Sequence, residues 1–150
     1  NTPGQIGEGI TGFVFLNSPN QSEHRLVTNI LSSMGESFEL KSEEDIDRIT
    51  AISGSGPAYL FEFTCALECA AKEIGLPEKL ANKFALQTVS GASKLLTNSG
   101  LHPEELRDQV TSPKGTTQAA LESLEKNNLR KIVQDAVEAA KARSIELSNA

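Results

Sequence analysis

The chain has 150 residues, with 14 Lys and Arg against 20 Asp and Glu, and its formal net charge is −6. Its apolar fraction of 38% and charged fraction of 23% are typical of a globular domain and not of a disordered segment. No run approaches the ~18 apolar residues that a membrane helix needs, so we expect no membrane partner. The acidic balance, without any basic stripe, likewise argues against a nucleic-acid partner.

Residues 1–42 have the pattern of a parallel α/β unit. The run Gly9–Asn17 predicts a strand, and ESFELK after Gly35 predicts a second one. Between them, Asn20 and Glu23 form a capping-box pattern that begins a helix, which Gly35 is expected to stop. Two strands cannot form a free-standing sheet with both faces covered. Since the chain also begins without Met, we expect it to be part of a longer protein.

From residue 43 to residue 150 the pattern is helical. A short helix is predicted over SEEDIDRITAI, the segment SGSGPAY interrupts it, and a long helix runs from Pro57 to about Ile74. The long helix is apolar on nearly all faces, which favours burial on most of them, in part by a partner subunit. Its two cysteines, Cys65 and Cys69, are expected to be buried free thiols in a reducing compartment. Further helices are predicted from Pro77, from His102, after Gly115 and from Leu129.

Two polar corners interrupt these helices in the same way. SGSGPAY places Ser55 and Gly56 before a helix, and SPKGTTQAAL places a hydroxyl-rich, glycine-containing segment with Lys114 before another. The first N–H groups of a helix lack intrahelical partners and carry partial positive charge, so each corner is a candidate anion site. Simple N-capping is the alternative for both corners, because Ser, Thr and Gly are the usual N-cap residues.

Other chemistry-bearing residues have plainer interpretations. His102 is predicted to be a capping or structural residue, and Tyr59 is predicted to pack. Neither His24 nor His102 has metal-ligand spacing to the cysteines, so no metal site is predicted. No catalytic motif of the G-x-S-x-G or H-E-x-x-H kind is present.

Three motifs in order resemble pyrroline-5-carboxylate reductases. NTPGQIGEG is similar to the family's Asn-Thr-Pro loop, ITAISGSGPAYLF to its Gly-Ser-Gly-Pro-Ala-Tyr helix start, and LRDQVTSPKGTTQAALESLE to its signature. The resemblance implies a mainly α fold, in which residues 43–150 are a helical dimerisation and substrate-binding domain. Residues 1–42 would be the last strand-helix-strand piece of a Rossmann domain, and the rest of that domain would be absent.

The resemblance also implies an activity and its partners. The expected reaction is reduction of 1-pyrroline-5-carboxylate to L-proline by NADPH or NADH, in the cytoplasm, by a homodimer or a higher oligomer of dimers. Because most of the cofactor domain would be missing, we expect the isolated chain to be inactive. Two alternatives stay open: a helical dimerisation module without activity, and a related Rossmann-plus-helical reductase of another imino or keto acid.

The family's site residues map onto the two corners and the first residues. The resemblance implies that Ser112, Gly115, Thr116 and Thr117 bind the substrate carboxylate, with Thr117 as the catalytic candidate that orients the imine. It implies a cofactor-binding role for a second group: Asn1, Thr2, Ser55 and Gly56. Where Lys114 stands, the family often has glycine, so a left-handed backbone would be less comfortable there.

Overall fold

The computed structural model describes residues 1–149, which form two compact units. The first unit combines residues 1–60 with the segment that begins at Gln134, and the second is Phe61–Val133. Both divisions fall inside long helices. The domain boundary expected between residues 42 and 43 stays a prediction, because a compact unit of one chain need not be a domain.

A strand-helix-strand unit begins the chain, as predicted. Strand β1 is Gly9–Phe13, helix α1 is Gln21–Ser32 and strand β2 is Gly35–Glu39, and the two strands pair in parallel. The Asn20 side chain accepts the N–H of Glu23 at 3.0 Å, and the Glu23 carboxylate accepts the N–H of Asn20 at 2.9 Å. The predicted capping box is therefore confirmed.

Two details of this unit differ from the prediction. Strand β1 ends at Phe13 and not at Asn17, because its partner strand ends opposite it at Glu39. Gly35 does not stop α1 but opens β2, with a φ of 133°. A Cβ at Gly35 would collide with the backbone of Gly9, so glycine allows the two strands to approach.

The remaining elements of the first unit are helical. They are a 3-10 helix over Thr2–Ile6, α2 over Glu44–Ile49, a π-helix over Thr50–Gly54, the start of α3 over Gly56–Glu73, and most of α7 over Leu129–Ser148. A hydrogen bond of 2.6 Å from the Ser144 hydroxyl to the Asp47 carboxylate joins α7 to α2.

All the regular elements described in the second unit are helices. It contains the rest of α3, then α4 over Glu78–Ser99, α5 over Pro103–Gln109, α6 over Thr116–Lys126 and the start of α7. Asn82 on α4 donates to the Glu68 carboxylate on α3 at 2.9 Å. That hydrogen bond, with the nearby Lys72 ammonium, lowers the pKa of Glu68 below its ordinary value. The mainly α fold is as predicted.

Little of the apolar surface is buried within the single chain. Among the described residues, the buried apolar side chains are three alanines, Ala51, Ala81 and Ala85. Large exposed apolar side chains include Leu26, Phe61, Phe63, Phe84, Leu95 and Ile132. Cys65 and Cys69 are exposed free thiols, so their predicted burial is wrong for the single chain. Both lie on α3, an apolar helix in which this chain buries no residue. No helix in the described part of the chain is long and apolar enough to cross a membrane.

Candidate functional site

The hydroxyl-rich corner is a tight turn between α5 and α6. The Gly115 N–H donates to the Ser112 carbonyl at 3.0 Å, which closes a four-residue turn immediately before α6. Gly115 has an ordinary φ of −82°, but a Cβ there would press on the hydroxyl and carbonyl oxygens of Ser112. Position 115 therefore requires glycine for close approach of the backbone and not for left-handed geometry.

Simple capping does not account for this corner. Gly115 is the N-cap residue of α6, and no side chain accepts a hydrogen bond at the cap. The first N–H groups of a helix have no intrahelical acceptor, so those of Thr116 and Thr117 face outward from the helix start. The Thr117 side chain is half-buried and that of Ser112 is exposed. The turn thus presents backbone donors and two hydroxyls together, which suits a carboxylate.

Lys114 has the left-handed backbone that the family comparison suggested, with a φ of 60°. Sequence reasoning missed Gln118, whose side chain contacts the Lys114 backbone. The Gln118 side chain accepts the Lys114 N–H at 2.8 Å and donates to the Glu122 carboxylate at 2.7 Å. The one sequence signal for Gln118 is that Lys114 lies four positions before it and Glu122 four positions after it. That spacing places the three residues along one side of the helix start.

The first corner differs from the predicted helix break. The helical path continues from α2 through the π-helix, in which the Ser55 N–H donates to the Thr50 carbonyl at 2.8 Å, five residues earlier. π-helical turns inside helices occur frequently at functional sites. Gly56 then opens α3, and a Cβ there would meet no atom within 4 Å. The backbone at Gly56 is thus open to a ligand.

The N-terminal residues contact this π-helix within the first unit. The Asn1 amide nitrogen donates to the Ser53 carbonyl at 3.0 Å, and its amide oxygen accepts the Ile10 N–H at 3.2 Å. Asn1 thereby joins the start of β1 to the segment just before Ser55. Asn1 and Thr2 lie some fifty positions before Ser55 and Gly56 in the sequence. The structure brings the two pairs to the same region of the first unit.

A small cavity borders Ser55 in the same unit. Its volume is about 380 Å³, and its lining includes Thr50, Ser55, Arg143, Ser144 and Ser148. A volume of this size lies at the lower end of the range of small-molecule sites. The Ser144 and Ser148 hydroxyls donate to the Asp47 carboxylate, and the Arg143 guanidinium pairs with Glu146. The Thr50 and Ser55 hydroxyls remain as the groups that fit part of a polar cofactor.

Tyr59 packs inward, as predicted. Its hydroxyl donates to the carbonyl of Ala51, a residue in the π-helix that is 1% exposed, at 3.0 Å. We expect Tyr59→Phe to lower the free energy of unfolding by about 1 kcal/mol, because it removes one hydrogen bond from a buried setting. Denaturant titration checks this, with Glu62→Gln at an exposed position of α3 as the control. Equal stability of both variants would contradict it.

The histidines have structural partners. His102 is the N-cap of α5, where its Nδ1 accepts the Glu104 N–H at 3.3 Å, so its predicted capping role is confirmed. His24 contacts the Glu39 carboxylate at 2.9 Å. Within residues 1–149, no group of three or more His, Cys, Asp or Glu side chains could hold a metal ion.

A larger open cavity of about 850 Å³ lies among α5, α6 and the start of α7 in the second unit. Its lining is mostly charged or amide side chains, including Glu104, Arg107, Asp108, Gln118, Glu122 and Arg130. The Arg130 guanidinium donates to the Glu104 carboxylate at 2.6 Å and holds the pKa of that carboxyl below its ordinary value. At pH values above the ordinary pKa of a glutamate carboxyl, this ion pair stabilises the unit. That stabilisation is lost as the pH falls through the lowered pKa of Glu104.

Comparison with known proteins identifies what the chain resembles. The family model for pyrroline-5-carboxylate reductase dimerisation matches residues 43–147. A pyrroline-5-carboxylate reductase of Pseudomonas aeruginosa is 38% identical over 148 residues, which are 99% of this chain and 54% of the relative. The enzyme of Pisum sativum is 39% identical over 148 residues, again 99% of this chain and 54% of the relative.

Solved structures give the same result. A pyrroline-5-carboxylate reductase of Coxiella burnetii superposes with a TM-score of 0.92 at 37% identity, over 98% of this chain and 54% of that one. The pyrroline carboxylate reductase of Plasmodium falciparum, solved with NADP bound, gives a TM-score of 0.83 at 38% identity, over 96% of this chain and 58% of that one. The chain spans about half the length of the curated relatives it matches.

Proposed function

Because the chain belongs to the pyrroline-5-carboxylate reductase family, we propose that it is the dimerisation and substrate-binding part of an NAD(P)H-dependent enzyme that reduces 1-pyrroline-5-carboxylate to L-proline. In this proposal residues 43–150 are the helical domain and residues 1–42 are the end of the cofactor domain. The enzyme acts in the cytoplasm. The observation that carries the proposal is the uncapped start of α6 behind the Ser112–Gly115 turn.

The substrate is a small ring with a carboxylate and a C=N bond, and the turn supplies matching groups. Backbone N–H groups of Thr116 and Thr117, with the Ser112 hydroxyl, bind the carboxylate. Gly115 contributes by shaping the turn, because its own N–H donates to the Ser112 carbonyl. The Thr117 hydroxyl orients the imine nitrogen. Reduction adds a hydride to the imine carbon and a proton to the nitrogen, which gives the secondary amine of L-proline. A threonine hydroxyl is a poor acid, so water delivers the proton.

Asn1, Thr2, Ser55 and Gly56, all in the first unit, are proposed to bind the cofactor. The bound nicotinamide, of NADPH or NADH, supplies the hydride, and the chain contributes positioning and electrostatics. The open backbone at Gly56, together with the small cavity that Ser55 borders, supports this assignment. Asn1 contributes by holding the π-helix in place, since both polar atoms of its amide are already bonded.

A homodimer completes the proposal. The many exposed apolar side chains of α3 and α4 favour a second surface that covers them, because each fully buried large side chain contributes roughly 1.5–3 kcal/mol. A second copy of the chain would cover them. A higher oligomer of dimers is compatible with the same surfaces.

The direct test uses the full-length reading frame that contains this chain. We expect rapid loss of NADPH or NADH absorbance when 1-pyrroline-5-carboxylate is added. Silence from a folded dimer that still binds cofactor would exclude this substrate. It would favour either an inactive dimerisation module or a reductase of another imino or keto acid. Competition by L-proline analogues separates the latter from a pyrroline-5-carboxylate reductase.

The 150-residue chain by itself is expected to show no turnover. Its one G-x-G-x-x-G run, Gly7–Gly12, follows a 3-10 helix and enters β1, whereas the pyrophosphate fingerprint follows a strand and opens a helix. Hydride transfer therefore has no bound donor. The same absorbance assay checks this, with the full-length protein at equal subunit concentration as the control. A steady-state rate from the chain alone would contradict the expectation.

A further inference from the structure

The turn before α6 has an unfavourable residue at its most demanding position. Ser112–Gly115 has Pro113 second and a positive φ third, which is the pattern of a type II turn. That third position strongly favours glycine or asparagine, because a Cβ crowds the backbone there. Here it is occupied by Lys114, with a φ of 60°. Something outside the turn must stabilise this conformation.

Gln118 supplies that stabilisation through two hydrogen bonds. Its Oε1 accepts the Lys114 N–H at 2.8 Å, and its Nε2 donates to the Glu122 Oε1 at 2.7 Å. The two partners define the orientation of the amide, since a backbone N–H requires the oxygen and a carboxylate requires the nitrogen. Gln118 is half-buried, and it lies in the first turn of α6 directly after Thr117.

We propose that Gln118 is a positioning residue that holds Lys114 in the left-handed conformation and so keeps the Ser112–Thr117 loop in its substrate-binding shape. The link to substrate binding rests on the function proposed above, whereas the link to Lys114 does not. Gln118 touches no reacting atom and acts through the turn. Glu122 completes the arrangement by holding the Gln118 amide from the other side.

Lys114 explains why the amide is needed. If glycine stood at position 114, the backbone would adopt a positive φ without support, and loss of the Gln118 amide would matter less. If Gln118 is only a surface residue of α6, its replacement should have the same effect whichever residue occupies position 114. A double-mutant cycle between the two positions separates these cases.

The experiment combines Gln118→Met with Lys114→Gly in the full-length protein. Methionine keeps the length of the side chain and removes both polar groups. With Lys114 present, we expect Gln118→Met to raise the KM for 1-pyrroline-5-carboxylate about two- to tenfold, the equivalent of one hydrogen bond. With Lys114→Gly present, the same change should raise it less than about twofold. The effect on kcat should be smaller in both backgrounds.

A matched variant tests the hydrogen-bond pattern itself. Gln118→Glu combined with Glu122→Gln exchanges the two groups, so an oxygen still faces the Lys114 N–H and an amide still faces the carboxylate. We expect this double variant to recover most of the wild-type KM. Gln118→Glu alone places two carboxylates side by side and should recover less.

Two measurements do not depend on activity. Hydrogen exchange of the Lys114 amide should become faster in Gln118→Met, and the thermal midpoint should fall further with Lys114 than with glycine at position 114. Unchanged exchange, or equal falls in both backgrounds, overturns the positioning role. Faster exchange with an unchanged KM overturns its link to substrate binding. If the wild-type protein does not reduce the substrate, the proposed function fails. Hydrogen exchange of the Lys114 amide and the thermal midpoints would still decide whether Gln118 positions Lys114.

Discussion

Replacing Phe84 with glutamate is expected to convert the homodimer proposed for this chain into monomers. Phe84 is 58% exposed on α4 and shares one helical face with Leu80 and Leu95, which are 44% and 53% exposed. Next to this face, Ala81 and Ala85 are buried at 0% and 2% exposure. An apolar stripe of this length on a helix favours contact with another protein surface.

The expected effect is large for two reasons. A central aromatic side chain at an interface contributes about 2–4 kcal/mol, and a carboxylate at that place adds the cost of a buried charge. A two-fold symmetric interface also contains the residue twice. The dissociation constant of the dimer should therefore rise at least about a thousandfold.

Sedimentation equilibrium over a range of concentrations measures this dissociation. Phe84→Leu keeps an apolar side chain and should remain dimeric, and Lys83→Glu introduces the same carboxylate on another face of α4. Far-UV circular dichroism distinguishes a folded monomer from an unfolded chain. A Phe84→Glu variant that sediments as a dimer at low concentration would show that this face of α4 is not the interface.

Thr117→Ala should lower kcat/KM for 1-pyrroline-5-carboxylate by about ten- to a hundredfold. The Thr117 hydroxyl is proposed to accept a hydrogen bond from the ring nitrogen once that nitrogen is protonated, and a hydrogen bond to a charged group contributes about 1.5–3 kcal/mol. The Thr117 side chain is half-buried at the second position of α6, and the Ser112 hydroxyl lies against Gly115 in the turn immediately before that helix. Loss of the hydroxyl leaves the backbone N–H in place. The remaining activity should therefore exceed that of a variant whose turn is disrupted.

Steady-state kinetics of three variants separate the hydroxyl from the backbone. Thr117→Ser keeps the hydroxyl and should retain most of the activity. Thr116→Ala keeps the backbone N–H, through which Thr116 is proposed to act, and should lose much less than Thr117→Ala. Equal losses at positions 116 and 117 would assign the effect to the helix start in general. An unchanged kcat/KM in Thr117→Ala would contradict its catalytic role.

Local patterns predicted most of the secondary structure. The capping box at Asn20 and the alternation around Phe38 placed a helix between two strands, and the pairing in parallel confirms it. His102 before Pro103 correctly marked the start of α5. These features could be predicted because each depends on residues within about four positions of one another.

The first corner shows where local reasoning fails. Gly, Ser and Pro in SGSGP normally end a helix, but here the helical path continues as a π-helix. The Ser53 carbonyl accepts a hydrogen bond from the Asn1 amide, 52 positions away in sequence, and the Ala51 carbonyl accepts one from the Tyr59 hydroxyl, eight positions away. No short window of sequence contains both Asn1 and the π-helix that it stabilises.

Burial could not be predicted for a related reason. The apolar pattern of α3 indicated a buried helix and buried cysteines, yet in the single chain Phe61, Phe63 and both thiols are exposed. Apolar periodicity reports that a face will be covered, but not whether the same chain or a second copy covers it.

Short-range spacing and motifs of adjacent residues were enough to predict the order of the elements, the family and the polar composition of both corners. How those corners are built became visible only in the folded chain. Folding places Asn1 against the π-helix and the Gln118 amide against the left-handed Lys114. Each of these contacts exists only after the turn or the strand pairing has formed, since a hydrogen bond requires its two atoms within about 3 Å.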